Sequence, residues 1–534
     1  MNYKQSSYKG IVSSAYPHKT ERYNFMHYCY SSETVRNLDY LMVEQGIVDT
    51  SYELMNRAAQ VLLDFIHLNY PQATHITIIC GAGNNAGDGY LLARLALLHE
   101  KEPPLKVNLI SVFDVEHLSG DAHQAYLDWL ECGGEVNTIM DSHFAATDVV
   151  VDALIGTGLN RELEDEWYDA VAQINLSAKP VISVDIPSGL DANTGSTYGI
   201  AVQADHTITF IGQKMGMYTA EARHYCGQIH FASLGVPEDL YNKVKPSATL
   251  MEWAEVSKLL PHRSPISHKG DHGHLLIIGG DYGMVGACRI AGEAALRAGS
   301  GLVSIATHLD NVNAITSVRP ELMVHGVEKG KDLDKLLKKA TAIAIGPGLG
   351  TSQWGMNLLD RVIKFIKSQP DYNNKGAAER IHCVFDADAL NIMAKHNIVI
   401  QNKNIIYTPH FGEASRLLHL KSLSPSETTN RFEMIKQLKE KYYGLFVLKG
   451  PGTLIDINDE ISICPYGNEG MASAGMGDCL TGIIGALLAQ KLSVRDAVKI
   501  GVCLHAKAGD HVAKEGRNGM IVSDLFPKIR ALLN

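Results

Sequence analysis

Twice in this chain an apolar run passes straight into a glycine-rich turn and then into a helical pattern, once near each end. The first turn is Gly81-Ala82-Gly83-Asn84-Asn85-Ala86-Gly87-Asp88-Gly89, preceded by Ile76-Thr77-Ile78-Ile79-Cys80 and followed by residues 90–96, Tyr-Leu-Leu-Ala-Arg-Leu-Ala. The second, Met471-Ala472-Ser473-Ala474-Gly475-Met476-Gly477-Asp478, opens a helix with Leu480, Ile483, Ile484, Leu487 and Leu488 on one face. A turn of this kind leaves backbone N–H groups unpaired at a helix N-terminus, where the peptide dipoles favour an anion. Two such turns, hundreds of residues apart and unlike in sequence, predict two phosphate-bearing ligands and two α/β units.

The rest of the pattern fits that reading. A first helix, capped by Ser31 or Ser32, carries Val35, Leu38 and Met42 at helical spacing, and a second covers residues 54–68. Strands are then expected at 75–80, 105–112, 149–154, 181–186 and 207–210, with helices at 89–99, 122–130 and 167–174 between them. Such alternation predicts a parallel sheet covered on both faces, a Rossmann-like doubly wound unit. Gly235, Pro237, Pro246, Pro261 and Pro265 interrupt it, with one short helix expected at 253–260. Alternation restarts with strands at 274–278, 302–306, 342–345, 383–385, 405–407 and 446–448, and the chain ends in helices from 477. The division expected is a tail (1–29), one domain over 30–240 and another over 248–534.

Charge and cysteine content exclude other classes. A formal charge of −10 argues against nucleic-acid binding. Nine scattered cysteines without a C-x-x-C pair read as reduced thiols of a cytoplasmic protein, not as a zinc site. No apolar stretch is long enough to span a bilayer, and residues 1–23 lack the apolar core of a secretory signal.

In the first half, the glycine turn departs from the dinucleotide fingerprint. Its third glycine comes one position late, and the nearest acid at a following strand end, Asp114, lies too far along. Two further strand ends carry acids: Asp152 in V-D-A-L-I-G-T-G-L and Asp185 in V-D-I-P-S-G-L-D. Ligands of open α/β sheets bind at that edge. There Asn85, Asp152 and Ser188 offer amide, carboxylate and hydroxyl oxygens suited to a hard cation. Taken singly, each acid reads as a helix cap or turn former.

Together, G-x-G-N-N-x-G-D-G, D-A-L-I-G-T-G-L and D-I-P-S-G-L-D resemble the NAD(P)H-hydrate epimerase family. The resemblance implies exchange between the R and S epimers of ring-hydrated nicotinamide cofactor. By it, Asn84, Asn85, Ala86, Gly87 and Asp88 contact the hydrate, as do Gly156, Thr157, Gly158, Leu159, Asn160, Arg161 and Glu162. Asn85, Asp152 and Ser188 hold K+, and Asp185 faces the reacting ring as acid/base. The family usually has glycine where Ala86 stands; a methyl there costs about 1 kcal/mol if the position needs a positive φ. The expectation is that it is tolerated.

In the second half, Gly475 and Gly477 let the backbone turn its amides toward a phosphate, and Asp478 sits where a carboxylate can take the proton of an accepting hydroxyl. No G-K-[ST] follows, so this is not a Walker loop. The segments H-K-G (268–270), G-P-G-L-G (346–350), D-A-D-A-L-N (386–391), T-P-H-F-G-E (408–413), K-G-P-G-T (449–453) and G-M-G-D (475–478) resemble the ribokinase-like superfamily, and within it the ADP/ATP-dependent NAD(P)H-hydrate dehydratases. The resemblance implies that Lys449, Gly450, Pro451, Gly452, Thr453 and Gly477 bind the adenine nucleotide with Mg2+. It implies that Ala287, Gly348, His410 and Asp478 bind the hydrate, with Asp478 as base. Ala474 replaces a customary glycine, upstream of the tightest turn.

Both resemblances, in this order, are those of the fused cofactor-repair enzymes, which implies a homo-oligomer acting on small molecules alone. Two rivals stay open: a ribokinase-type small-molecule kinase joined to a nucleotide-binding domain, and an N-terminal half that binds without catalysing.

Overall fold

The computed structural model describes residues 27–99, 104–138, 144–369, 381–420 and 430–534. The chain forms two compact units, divided between Thr249 and Leu250. Most of the expected N-terminal tail lies outside the described residues.

In the first unit the strands are β1 (Tyr28–Tyr30), β2 (His75–Cys80), β3 (Lys106–Ser111), β4 (Val149–Ala153), β5 (Val181–Val184), β6 (His206–Phe210), β7 (Gln213–Lys214) and β8 (Gln228–Ala232), and β9 (Ala248–Leu250) holds the division between the units. Six of them form a wholly parallel sheet in the order β3-β2-β4-β5-β6-β8. The chain runs outward from β2 to β3 and then returns to place β4 on the other side of β2. That is a topological switch point, and the loops after β2 and β4 flank it. Strand β1 lies parallel to β7 and antiparallel to β9.

Helix Ser32–Glu44 starts where Ser31 accepts the amide of Thr34, and it buries Val35, Leu38 and Met42 as the spacing predicts. The next helix, Ser51–Asn69, is capped by Thr50 and packs Leu54, Ala58, Leu62 and Phe65 into the core. One expected boundary moves. The helix foreseen at 89–99 begins at Asn84, so Asn84 to Asp88 are its first turn and not loop. Close packing explains this: a Cβ on Gly87 would lie 2.5 Å from the Met55 sulfur, and one on Gly89 2.7 Å from Cys80 Sγ. These glycines let the helix lie against its neighbours. Ala86 is buried in the same turn and is not among the residues with positive φ, so its methyl carries no backbone penalty.

In the second unit the strands are β10 (His274–Ile278), β11 (Leu302–Thr307), β12 (Met323–Gly326), β13 (Ala342–Ile345), β14 (His382–Phe385), β15 (Ile405–Tyr407), β16 (Leu445–Leu448), β17 (Thr453–Ile457) and β18 (Glu460–Cys464). They pair in the order β12-β11-β10-β13-β14-β15-β16-β17-β18. The strands from β12 to β16 are parallel, and β17 and β18 are antiparallel. Again the chain runs outward (β10 to β12) and returns to put β13 beside β10, giving a second switch point. Helices Val285–Arg297 and Met476–Ala489 cross so closely that a Cβ on Gly482 would lie 2.1 Å from the Ala291 carbonyl oxygen. The hairpin β17–β18 and strands β1, β7, β8, β9 and β12 escaped the sequence reading.

Candidate active sites

A cavity of about 1260 Å³ opens at the switch point of the first unit. Pockets for small ligands are commonly about 300–1,000 Å³, so this one has room for a larger molecule. It is lined by Asn84, Asn85, Asp88, all seven residues of 156–162, and Asp185, as the sequence predicts. Ala86 and Gly87 do not line it, since they face the core from the first helical turn.

The oxygen cluster lies at the end of β4. Asp152 is fully buried. It accepts from Ser183 Oγ (2.7 Å), Ser188 N (2.9 Å), Ser188 Oγ (2.6 Å) and Leu154 N (3.3 Å). Burial raises its pKa, and these bonds pull it back. Every one of the donors is neutral, so a buried carboxylate has no cationic partner among the described residues. Ser188 Oγ also accepts from Ile155 N at 2.9 Å. Asn85 is buried, its amide nitrogen has no hydrogen-bond partner, and its Oδ1 lies against Gly156. An amide turned about its last bond presents oxygen in place of nitrogen. A charge-deficient carboxylate, a hydroxyl and an unsatisfied amide therefore fit a hard monovalent cation. No group of three His, Cys, Asp or Glu side chains that could hold a metal occurs among the described residues.

Asp185 follows β5 with φ of +66°, a left-handed conformation in which Asp is one of the less costly residues. Its Oδ1 accepts from Thr209 Oγ1 (3.2 Å), from Phe210 N (3.1 Å) and from the Lys214 ammonium. Lys214 is almost wholly buried and also donates to Thr209 Oγ1 and the Phe210 carbonyl, each at 3.0 Å. Two more acids share this wall. Burial pushes Asp39 up to about 7, with Lys214 opposing and Asp185 adding to the shift. Burial, then Asp185 and Asp39, push Asp88 well up. One lysine thus stands among three carboxyl groups. Sequence reasoning missed Lys214 and Asp39. Lys214 sits on a two-residue strand with no periodicity to reveal it, and Asp39 is a polar residue on an otherwise ordinary amphipathic helix.

The second site gathers around Lys449, which follows β16. Lys449 Nζ donates to Asp386 Oδ1 at 2.6 Å and lies 3.8 Å from Glu413 Oε2. Burial lowers its pKa, but Asp386 and Glu413 outweigh that and leave it raised. The other oxygen of Asp386 accepts from Thr481 Oγ1 at 2.7 Å. Gly477 is helical, and a Cβ there would lie 3.3 Å from Lys449 Nζ, which brings the two expected nucleotide-binding segments together. Gly475 caps the helix with φ of +87°. Ala474 is exposed and is not among the positive-φ residues, so its side chain disturbs no turn. Asp478, in the first helical turn, is pushed up to about 7 by burial, then by Asp386, with Lys449 opposing.

His410 serves as a helix cap, its Nδ1 accepting from Gly412 N (3.0 Å) and Glu413 N (3.4 Å), while Glu413 accepts the His410 amide at 2.8 Å. Its pKa is lowered by burial and by Lys449. The imidazole stays half exposed, so it caps and still presents an edge. Gly348 has φ of +59°, and a Cβ on it would lie 3.1 Å from Ala287 Cβ, so the two residues expected at the hydrate are neighbours. Gly450, Pro451, Gly452 and Thr453 form the turn into β17, with Thr453 Oγ1 donating to Gly450 O at 3.1 Å. A residue not foreseen shapes this turn. The buried guanidinium of Arg431 donates to the carbonyls of Leu448 (3.1 Å), Lys449 (3.3 Å), Gly452 (3.1 Å) and Pro451. It escaped notice because a lone arginine opening a helix reads as a solvated charge. Cys479, beside Asp478, is fully buried and its pKa is raised, which makes it a core residue.

Residues 51–216 match the family model of the YjeF-related protein N-terminus, and residues 275–531 that of NAD(P)H-hydrate dehydratase. The chain is 42% identical over 508 residues to the bifunctional NAD(P)H-hydrate repair enzyme Nnr of Coxiella burnetii, covering 95% of this chain and 99% of that one. It is 42% identical over 492 residues to the protein of the same name from Escherichia coli, covering 91% and 90%. Among solved structures, it is similar to the ADP/ATP-dependent NAD(P)H-hydrate dehydratase from Bacillus subtilis co-crystallized with ATP/Mg2+, with 26% identity and a TM-score of 0.43 over 53% of this chain and 98% of that one. All nine cysteines are free thiols, and no helix among the described residues is long and apolar enough to cross a membrane. The chain belongs to the family of bifunctional NAD(P)H-hydrate repair enzymes, in which an epimerase domain is joined to an ADP/ATP-dependent dehydratase domain.

Proposed function

We propose that the first unit exchanges the R and S epimers of hydrated nicotinamide cofactor in its cavity, and that the second dehydrates the S form with ADP or ATP beside Asp478. The epimerase domain occupies about 30–240 and the dehydratase domain about 248–534 in this reading. The observation that carries it is the recurrence, in each unit, of one lysine among three carboxyl groups: Lys214 with Asp39, Asp88 and Asp185, and Lys449 with Asp386, Glu413 and Asp478.

In the epimerase cavity, residues 84–88 and 156–162 hold the hydrate. The walls 84–85, 88 and 156–162 do so directly, while Ala86 and Gly87 set the position of the first helical turn. Asp185 acts as acid/base at the hydrated ring. Lys214, Thr209 and the Phe210 amide all hold Oδ1, which fixes the carboxylate and leaves Oδ2 for the substrate. Asn85, Asp152 and Ser188 would hold K+, which would supply the positive charge that the buried Asp152 carboxylate lacks.

In the dehydratase site, Lys449 to Thr453 and Gly477 bind the nucleotide, and Ala287, Gly348 and His410 bind the hydrate. Asp478 takes the proton of the ring hydroxyl, whose oxygen attacks the terminal phosphorus as the bond to the leaving nucleotide breaks. The ring nitrogen then expels phosphate, and loss of a neighbouring proton restores the dihydropyridine. Mg2+ bound with the nucleotide would supply charge to offset that of its phosphates. The chain is read as cytoplasmic, in keeping with its free thiols, and, by resemblance alone, as a homo-oligomer. The test is recovery of reduced-nicotinamide absorbance from purified S-NADHX with ATP. Phosphorylated product accumulating from a sugar or vitamin alcohol, without action on the hydrate, would favour the kinase reading instead.

A further inference from the structure

A second cavity, of about 350 Å³, lies in the dehydratase unit outside the residues assigned above. Its walls carry Arg289, Arg297 and Arg319 against a single lining acid, Glu293. Glu293 is 5% exposed and stands at the centre of the three guanidiniums. Arg319 hydrogen-bonds it, whereas Arg289 and Arg297, one helical turn to either side, lie 3.8 Å away. Neither Arg289 nor Arg297 has a side-chain hydrogen bond within the described residues, and Arg319 Nε is buried without a partner. At the rim Glu321 is 3.9 Å from Arg319 and largely exposed. Within a chain of net charge −10 the lining of this cavity carries three guanidiniums against one carboxylate, with Glu321 at the rim as a second. Guanidiniums pair with phosphate through two parallel N–H bonds, and partial burial strengthens that pairing.

The opposite wall is the first turn of helix Val522–Leu532, including Ser523. That wall is joined to the catalytic turn. A Cβ on Gly475 would lie 2.8 Å from Ile290 Cδ1 and 3.1 Å from Val522 Cγ1, and Ile290, Val522 and Ala474 all line the cavity. Asp478 is four residues from Ala474, at most about 15 Å along the chain. The pocket is therefore within reach of a long substrate whose reacting ring is at Asp478.

We infer that this arginine pocket binds a phosphoryl group. Two sources share that chemistry: a phosphate of the dinucleotide hydrate itself, in which case the pocket grips the substrate remote from the ring, and the free phosphate that the reaction releases. The choice between them rests on the dehydratase reading above; the existence of the site does not.

The test uses the full chain and a Arg289→Gln/Arg297→Gln variant, which keeps the Arg319–Glu293 pair intact. Inorganic phosphate is titrated calorimetrically at fixed ionic strength, with ADP saturating the nucleotide site. The expected result is saturable phosphate binding weakened at least tenfold in the variant, with the dehydratase kcat unchanged as proof that this unit is folded. KM for NADHX and NADPHX is then measured. A KM raised several-fold at constant kcat assigns the pocket to the substrate's own phosphate; an unchanged KM with phosphate binding lost assigns it to free phosphate. Equal phosphate binding and equal KM in the two proteins overturn the proposal. If the wild type turned over neither hydrate, the dehydratase reading would fail, and the phosphate titration would still decide the site.

Discussion

In the first unit a Cβ on Gly81 would lie 2.0 Å from the carbonyl oxygen of Leu154; in the second, one on Gly279 would lie 2.0 Å from that of Pro347. Each contact joins the loops after the two strands that flank a switch point, β2 with β4 and β10 with β13. The two units thus place their ligands by the same backbone approach. They differ in where the lysine goes. Lys214 is bonded to Asp185, the residue proposed to act on the ring, and the raised carboxyl groups are its neighbours Asp39 and Asp88. Lys449 is bonded to Asp386, and the raised carboxyl groups are its neighbour Glu413 and Asp478 itself. A lysine on the reacting acid fixes its position; a lysine one residue removed leaves the reacting acid free to take and give a proton near neutral pH.

The largest effect that would break this comparison is at Asp478. Asp478→Asn should lower dehydration by about 10³-fold or more while R/S exchange proceeds, since a positioned general base contributes about 10²–10⁴. Loss of both activities would contradict the separation of sites. Next, Lys214→Met should slow R/S exchange by about 10²-fold without touching dehydration, because Asp185 loses its fixing partner and a buried pair is broken. An equal rate in that variant would show that Lys214 only fills space.

The pH dependence should separate the sites more finely. Asp478 is protonated below about 7, so kcat/KM for dehydration should rise roughly tenfold per pH unit on approaching that value and then level off. A profile flat from pH 5.5 to 8 would exclude Asp478 as the base. For stability the sign is the reverse. A carboxyl raised from 3.8 to about 7 in the fold binds its proton more tightly there than in the unfolded chain. The stability it contributes is full below 3.8 and is lost as pH rises to about 7, and Asp39 behaves alike. Asp39→Asn should therefore make unfolding less sensitive to pH between 4 and 7, measured by denaturant midpoints.

Smaller still, Arg431→Ala should raise KM for ATP about tenfold with little change in kcat for bound substrate, since it frees four carbonyls of the turn 448–452. Arg431→Lys, unable to span them, should fall between. The smallest effect is Ala86→Gly: no gain in exchange rate, and about 1 kcal/mol less stability from a glycine in a helix.

Much of this was legible in the sequence, for physical reasons that differ between residues. Parallel strands buried on both faces read as continuous apolar runs, so His75–Cys80, His274–Ile278 and Ala342–Ile345 were placed to the residue. Acids at strand ends, Asp152 and Asp185, announced the first site because such positions face the ligand edge. The start of helix Asn84–Leu98 was set too late because Gly87 and Gly89 look like loop residues when their packing partners, Met55 and Cys80, are remote in sequence. Lys214, Asp39 and Arg431 were invisible for the same reason. Their roles come from what the fold brings beside them. The hairpin β17–β18 was missed because Asp456, Asn458 and Asp459 interrupt its apolar pattern.

The most direct test presents R-NADHX and S-NADHX separately to the full chain with ATP, followed at the reduced-nicotinamide band. Wild type should recover the full absorbance, and Asp185→Asn should clear the S epimer at the normal rate yet stall on R at the uncatalysed rate. Clearance of R by Asp185→Asn as fast as by wild type would contradict a two-site repair that runs through Asp185 first and Asp478 second.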